Sequence, residues 1–138
     1  MTRVLIVDDQ AAFRHLLRQL LTRAGLSVVG EAETLLEAEA LVEELLPDLA
    51  IVDVVLPGMD GISGVPFLKD LCPSMRLILV SSYVDRADVF RIAAEDVGAE
   101  AFIPKDELDI ETVRAWHQET RHRPSAGRAS STRRGGIG

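Results

Sequence analysis

The sequence predicts a three-layer α/β domain, in which a parallel β-sheet is covered by helices on both faces. Five short apolar runs alternate with five segments whose apolar residues recur at helical spacing, and this alternation is typical of βα units. With 138 residues, the chain is long enough for one domain with a hydrophobic core and too short for a second domain of ordinary size.

Five runs rich in Val, Ile and Leu predict the strands. In chain order they are Arg3–Val7, Ser27–Ala32, Asp48–Val55, Arg76–Val80 and Ala101–Ile103. The first strand ends at the acidic pair Asp8 and Asp9, and the third contains a single carboxylate, Asp53. Pro104 follows the fifth strand and lacks the N–H that a sheet ladder needs, so we predict that this strand lies at an edge.

Apolar residues spaced three and four apart predict an amphipathic helix after each strand. The apolar positions are, helix by helix, Phe13, Leu16, Leu17, Leu20 and Leu21 on one face; Leu35, Ala38, Leu41, Val42 and Leu45 in one stripe; Val65, Phe67, Leu68 and Leu71; Val89, Ile92 and Ala93, which we predict to face inward; and Leu108, Val113 and Trp116. Thr34 is the predicted N-cap of the second helix, with Glu37 at the capping-box position. The last two helices are predicted over Asp85 to about Val97 and over Asp106 to about Arg121.

Right-handed crossovers leave few topologies, and the flavodoxin-like strand order 2-1-3-4-5 is the simplest that places the first and third strands side by side. Ligands of such sheets bind in the crevice outside the carboxyl ends of the strands. The polar residues that the sequence places at those ends are Asp8, Asp9, Asp53, Ser81, Ser82 and Lys105.

Three clustered carboxylates repel one another and raise one another's pKa, so this pattern favours a bound divalent cation. Mg²⁺ suits the set because it prefers oxygen ligands and commonly binds one or two carboxylates together with a phosphate oxygen. Asp53 could then attack phosphorus to form an aspartyl phosphate, while the metal and Lys105 neutralise the phosphoryl oxygens and a serine hydroxyl donates to one of them.

In this order and spacing, the residues resemble the receiver domain of a two-component response regulator. The resemblance covers about residues 2–121 and includes the segment that begins at Asp53 and ends in Pro57-Gly58-Met59-Asp60-Gly61. It implies that Asp53 is the phosphoacceptor and that Asp9 is a direct metal ligand. It also implies that Asp8 binds the metal largely through water and that the backbone carbonyl of Val55 is a further ligand.

The resemblance extends to the residues that would respond to a phosphoryl group. It implies that Lys105 binds the phosphate, that Ser81 supplies the switch hydroxyl and that Phe102 is the switch aromatic, which would report packing because it has no hydroxyl. The segment from Ser81 to Lys105 is slightly longer than is usual in the family, so Ser82 is an alternative switch hydroxyl.

The resemblance implies a phosphorylation-dependent signalling switch and not an enzyme. Its partners would be a sensor histidine kinase or phosphotransfer protein and a downstream partner or output domain. If the chain is a fragment, the output domain could bind DNA. A phosphorylation-dependent homodimer is a further expectation. One alternative is a receiver-like adaptor that is not phosphorylated in use. Another is an aspartyl-nucleophile phosphatase resembling the haloacid dehalogenases, which would need an acid where Val55 stands. A flavin site is disfavoured because the first turn offers acids where a phosphate needs donors.

Charge and composition bound the partners and the compartment. All 22 acidic residues precede residue 121, whereas five of the 15 Lys and Arg lie from 121 onward, so we predict no nucleic-acid binding by residues 1–121. The sequence has no membrane-spanning apolar run and no signal peptide, and its single cysteine, Cys72, fits a reducing cytoplasm. We predict a receiver domain over residues 1–121 and a disordered basic tail or truncated linker over 122–138.

Overall fold

The computed structural model describes residues 1–122. Within this range, five strands form a parallel sheet in the order 2-1-3-4-5. The strands are β1 (Arg3–Val7), β2 (Ser27–Ala32), β3 (Leu49–Asp53), β4 (Arg76–Ser81) and β5 (Ala101–Pro104). The helices are α1 (Ala11–Arg23), α2 (Leu35–Leu45), α3 (Gly61–Leu71), α4 (Ala87–Val97) and α5 (Ile110–His122). The predicted fold class and strand order are confirmed, whereas the predicted tail lies outside the described residues beyond His122.

Side chains of the sheet alternate between two hydrophobic cores, one on each face. On one face, β1, β3 and β4 contribute side chains that pack with α2, α3 and α4: Leu5, Val7, Ala50, Val52, Leu77 and Leu79. On the other face they pack with α1 and α5: Val4, Ile6, Leu49, Ile51, Ile78 and Val80. Every residue of β3 and β4 is buried, so any polar residue within these strands lies inside the protein.

Three strands differ from the prediction in their bounds: β3 begins at Leu49 and not at Asp48, β5 ends at Pro104 and not at Ile103, and the ends of β3 and β4 also differ. β3 ends at Asp53 and not at Val55, because the Asp53 carboxylate accepts a hydrogen bond from the Val55 N–H (2.9 Å) and turns the chain out of the ladder. β4 continues to Ser81, which pairs with Pro104 of β5. The edge position predicted for the strand containing Pro104 is confirmed.

The prediction for the inward face of α4 was wrong for Val89 and Ile92, whereas Ala93 is partly buried. Val89 and Ile92 are 62% and 63% exposed, whereas Phe90 packs against the core and its ring stacks on Phe102 (centroids 5.3 Å apart). Phe90 shares this inward face with Ala87, Ala94 and Val97, so the two aliphatic residues point to solvent. The helix also begins at Ala87, after a short 3₁₀ turn, and not at Asp85.

Smaller corrections concern the other helices. Leu16 of α1 is more than half exposed, although its spacing placed it on one apolar face with Leu17, Leu20 and Leu21, and Phe67 of α3 is also more than half exposed. α5 begins at Ile110 and not at Asp106, because a 3₁₀ turn follows β5 and the Asp109 carboxylate caps the helix by accepting from Thr112 N–H. The predicted Thr34 cap is confirmed, since its side chain accepts from the Glu37 N–H. Among the described residues, the helices are too short or too polar to cross a membrane.

Candidate functional site

Three carboxylates and one ammonium group meet at the carboxyl ends of the strands. Val7 of β1 pairs with Val52 of β3, so the next residues, Asp8 and Asp53, are brought together by the strand register itself. Asp8, Asp9 and Asp53 each offer one oxygen, and these three oxygens lie within 4.8 Å of one another. We call Asp8, Asp9, Asp53 and Lys105 the acid pocket.

Lys105, which follows β5, pairs with two of the acids. Its Nζ lies 2.7 Å from Asp8 Oδ2 and 3.0 Å from Asp53 Oδ2, and its side chain is only 9% exposed. A buried charge costs several kcal/mol unless it is paired, so the ammonium stabilises both buried carboxylates. One positive charge against three negative charges nevertheless leaves the acid pocket strongly negative.

Burial and charge crowding act on Asp53. Burial raises its pKa most, and the neighbouring Asp8 carboxylate raises it further. The hydrogen bond from Val55 N–H and the contact with Lys105 oppose this rise without cancelling it, so the pKa of Asp53 is raised to about 6. The ionised form of Asp53 is therefore destabilised in the folded protein but is still the main form at neutral pH.

The acid pocket fits a hard divalent cation. Asp8 Oδ1 accepts from the Gln10 N–H (2.8 Å), but the buried Asp8 Oδ2 has no hydrogen-bond partner, since Lys105 contacts it outside hydrogen-bonding geometry. Buried oxygens normally have such partners. An oxygen left without one, beside two further carboxylates, is a donor set of the kind that Mg²⁺ prefers.

A cavity of about 270 Å³ opens beside Asp53. Its lining residues are Asp9, Gln10, Asp53, Val55, Ser81, Ser82 and Tyr83. Ser81 is fully buried, and its Oγ accepts from Tyr83 N–H (3.1 Å), which leaves the hydroxyl hydrogen free to donate. Ser82 is exposed and lines the same cavity, so both serines considered from the sequence reach it.

Phe102, predicted as the switch aromatic, lies in the core and not on the cavity wall. It is 6% exposed, and its contact with Phe90 joins β5 to α4. A change at the end of β5 would therefore reach α4 through packing.

Three residues at the start of α1 contact the acid pocket, and the sequence did not predict these contacts. Gln10 Oε1 lies 3.0 Å from Lys105 Nζ, the same Nζ lies 4.2 Å from the centre of the Phe13 ring, and Arg14 donates to the Asp8 carbonyl (2.6 Å). Helical spacing placed Phe13 on the apolar face of α1, and the residue does pack against the core, but this spacing did not indicate its contact with Lys105. Its position one turn after the acidic pair was the available signal for a contact at this edge.

A doubly wound sheet with an acid cluster and a lysine at the carboxyl ends of its strands defines the class of phosphoryl-dependent signal receivers. The family model for the response regulator receiver domain matches residues 4–116. The chain therefore belongs to the response regulator receiver domain family.

Known proteins agree with this assignment. The chain is 39% identical to the chemotaxis protein CheY of Thermotoga maritima over 103 residues, which are 75% of this chain and 84% of that protein. It is 38% identical to a protein-glutamate methylesterase/protein-glutamine glutaminase of Xanthomonas oryzae pv. oryzae over 78% of this chain, which is only 30% of that protein. A LuxR-family two-component response regulator from Aurantimonas sp. SI85-9A1 matches with a TM-score of 0.80 and 28% identity, over 94% of this chain and 89% of that chain.

Proposed function

We propose that Asp53 accepts a phosphoryl group and that this modification switches the signalling state of the domain. The observation that carries the proposal is the acid pocket, in which three carboxylate oxygens within 4.8 Å share a single ammonium group. Asp8, Asp9, Asp53 and the backbone carbonyl of Val55 would hold Mg²⁺. When bound, the ion would supply positive charge to the oxygens of the transferred phosphoryl group.

The proposed step is a displacement at phosphorus. An Asp53 carboxylate oxygen forms a new O–P bond while the P–N bond to a donor phosphohistidine breaks, and the imidazole leaves with the electron pair. A pKa of about 6 leaves Asp53 ionised, and thus nucleophilic, at neutral pH. Lys105 would balance charge on the phosphoryl oxygens, since it already lies 3.0 Å from Asp53 Oδ2.

The phosphoryl group would change the domain by charge and by packing. It adds nearly two negative charges and several acceptor oxygens beside the cavity. The free hydroxyl hydrogen of Ser81 favours this residue as the switch hydroxyl. Movement of the β4–α4 segment would then alter the Phe90–Phe102 contact and the exposed surface of α4.

The partners follow from the family. A sensor histidine kinase or phosphotransfer protein would donate the phosphoryl group in the cytoplasm, and a downstream partner or output domain would read the change. The methylesterase and LuxR-family relatives illustrate such outputs. We propose no catalytic activity for these residues beyond their own phosphorylation and dephosphorylation, and no direct contact with membrane or nucleic acid.

The test is phosphorylation of the full chain by acetyl phosphate with Mg²⁺, followed by intact-mass measurement. We expect one phosphoryl group on wild type and none on Asp53→Asn. Asp60→Asn is the matched control, since Asp60 is an exposed acid that caps α3 by accepting from Ser63 N–H, and this variant should be labelled like wild type. Labelling of Asp53→Asn, or no labelling of wild type, contradicts the proposal.

The same experiment separates the alternatives. An adaptor would stay unlabelled with Mg²⁺ present, whereas a phosphatase would release inorganic phosphate through many turnovers. The phosphatase is disfavoured because Val55, which lies two residues after Asp53 and lines the cavity, has no acidic group to act as the general acid. Light scattering before and after labelling tests the expected phosphorylation-dependent homodimer.

A further inference from the structure

The Lys105 ammonium group is held from the α1 side as well as by the acids. Gln10 Oε1 lies 3.0 Å from Lys105 Nζ, and the Phe13 ring centre lies 4.2 Å from it. Gln10 also lines the cavity beside Asp53. These contacts come from a part of the chain far from Lys105 in sequence, so the fold brings them together.

The side chain of Gln10 has no role in capping α1. Gln10 occupies the N-cap position, but its side chain makes no capping hydrogen bond. Lys105 Nζ donates hydrogen bonds to Asp53 Oδ2 and to Gln10 Oε1, and it forms an ion pair with Asp8 Oδ2. The face of the Phe13 ring, which attracts cations, completes its surroundings.

We propose that Gln10 and Phe13 are positioning residues for phosphoryl transfer, which hold the Lys105 ammonium beside Asp53 before and after the reaction. The inference rests on the proposed function of Asp53. It assigns a task to two residues that neither bind the phosphoryl group nor react.

Asp8 and Asp53 compete for the Lys105 ammonium group. Asp8 Oδ2 is nearer to Lys105 Nζ (2.7 Å) than Asp53 Oδ2 is (3.0 Å), so before the reaction Asp8 attracts the ammonium at least as strongly as Asp53 does. A lysine side chain has four flexible carbon–carbon bonds, so without other contacts the ammonium would move toward Asp8. Gln10 and Phe13 are neutral, so their attraction does not depend on the state of Asp53.

The test compares side-chain removals with matched controls on the same scaffold. Gln10→Ala removes the amide acceptor, and Phe13→Leu keeps an apolar side chain but removes the ring face. Gln19→Ala, on the exposed part of α1, and Phe67→Leu, at a phenylalanine that is 54% exposed on α3, are the controls. Phe13→Tyr restores the ring and should rescue the effect of Phe13→Leu.

Initial rates of labelling by acetyl phosphate with saturating Mg²⁺ give the first readout. We expect the maximal rate to fall about fivefold for Gln10→Ala and about threefold for Phe13→Leu, with KM for acetyl phosphate and the free energy of unfolding nearly unchanged. The two controls and Phe13→Tyr should match wild type. If wild type is not labelled, the proposed function fails; if wild type and both variants are labelled at equal rates, only this inference fails.

A second readout does not require phosphorylation. In the protein without Mg²⁺, the ring current of Phe13 should shift the NMR signals of the Lys105 side chain upfield, and Phe13→Leu should abolish this shift. Gln10→Ala should speed hydrogen exchange of the Lys105 ammonium, whereas Gln19→Ala should not. Unchanged Lys105 signals in both variants would overturn the inference.

Discussion

Buried charges occur at both ends of the sheet, but the two sites are built differently. At the carboxyl ends lies the acid pocket. At the opposite end, Arg76 is the first residue of β4 and is 4% exposed. Its guanidinium donates to both carboxylate oxygens of Glu100 (2.7 and 2.6 Å) and to the Trp116 carbonyl (2.7 Å). We call Arg76, Glu100 and the Trp116 carbonyl the Arg76 cluster.

The difference between the two sites is charge balance. Arg76 pairs with Glu100 in bidentate geometry, so that each of these two charges has a counter-charge, and Arg76 also ties β4 to α5. The acid pocket sets one cation against three anions, leaves Asp8 Oδ2 without a hydrogen bond and raises the pKa of Asp53 to about 6. Burial of charge alone thus does not mark a functional site. An uncompensated buried charge does, because it leaves an interaction for a ligand to complete.

The largest effect should come from breaking the Arg76 cluster. Arg76→Met removes the buried guanidinium that donates to the Glu100 carboxylate and to the Trp116 carbonyl, and we expect it to lower the free energy of unfolding by about 3 kcal/mol. Urea denaturation measures this change. Because the cluster is distant from the acid pocket, labelling of the folded fraction should stay at the wild-type rate.

Arg91→Met is the matched control for Arg76→Met. Arg91 pairs with Asp88 on the surface of α4 (3.2 Å) and is 48% exposed, so its loss should cost less than about 0.5 kcal/mol. Equal effects of the two substitutions would show that burial does not distinguish the two ion pairs.

The backbone beneath the acid pocket should be the next most sensitive feature. A Cβ on Gly61 would lie well inside contact distance of the Asp53 carbonyl oxygen, and backbone cannot move aside as a side chain can. We expect Gly61→Ala to lower the free energy of unfolding by about 2 kcal/mol and to slow labelling, because Asp53 must shift. Chemical denaturation and labelling rates measure the two effects.

Gly30→Ala is the control for Gly61→Ala. A Cβ on Gly30 meets side-chain methyl groups of Leu45 and Leu5 at 3.1 and 3.3 Å, which can move slightly. This variant should stay within about 1 kcal/mol of wild type and keep the normal labelling rate. If Gly61→Ala is labelled at the wild-type rate, the close approach of position 61 to the Asp53 carbonyl does not control the position of Asp53.

The fold was predictable because its signals are local and repeated. Apolar runs such as Leu49–Val52 and turn residues such as Gly25 and Gly98 give strand and helix limits, and the acidic pair and Lys105 stand directly after strands. The strand order then brings the candidate site residues to one edge. Their separation in sequence did not matter, since sheet topology alone determines which strand ends are neighbours.

The rest depended on tertiary contacts that leave no periodic signal. Val89 and Ile92 fit a helical face as well as Phe90 does, but Phe90 is the one that packs against the core, where its ring contacts Phe102. Arg76 was assigned to a strand by its neighbours, but nothing near it in sequence reveals that Glu100 meets its guanidinium. Long-range pairs of this kind decide whether a charge is structural or functional.

Removing a charge from the acid pocket should have the opposite sign to removing one from the Arg76 cluster. The pKa of Asp53 is about 6 in the folded state and near 3.8 without burial, so ionisation of Asp53 destabilises the folded protein. Between about pH 4 and pH 6 the folded state holds the extra proton, and stability falls as the pH rises. Without Mg²⁺, Asp53→Asn should therefore be about 1 to 2 kcal/mol more stable than wild type above pH 6, and equal to it near pH 4.

Denaturation of both proteins from pH 4 to pH 8, with and without Mg²⁺, checks this prediction. Added Mg²⁺ should stabilise wild type more than Asp53→Asn, because the variant lacks one carboxylate of the cluster. A variant that is less stable than wild type at pH 7 without metal would show that the Lys105–Asp53 pair outweighs the burial of the charge.

The smallest effect on the free energy of unfolding is expected at Glu31, which is partly exposed and pairs with Arg14 and Arg18. Burial pushes the pKa of Glu31 upward, but hydrogen bonds from Arg18 and Arg14 outweigh it, so the pKa lies below its usual value. The stability contributed by this group is present above about pH 4.5 and is lost as the pH falls through the lowered pKa. Glu31→Gln should cost about 0.5 kcal/mol at pH 7 and nothing at low pH, as measured by urea denaturation.

Glu33→Gln isolates the contribution of pairing at this site. Glu33 is exposed and lies 3.7 Å from Arg14, so its substitution should have almost no effect. The cost of Glu31→Gln should also shrink at high salt, because the pair with Arg18 is partly exposed. A cost that is the same at every pH and salt concentration would mean that Glu31 contributes packing and not charge. Charge balance, which distinguishes the acid pocket from the Arg76 cluster, would then not explain the effect of this residue in β2.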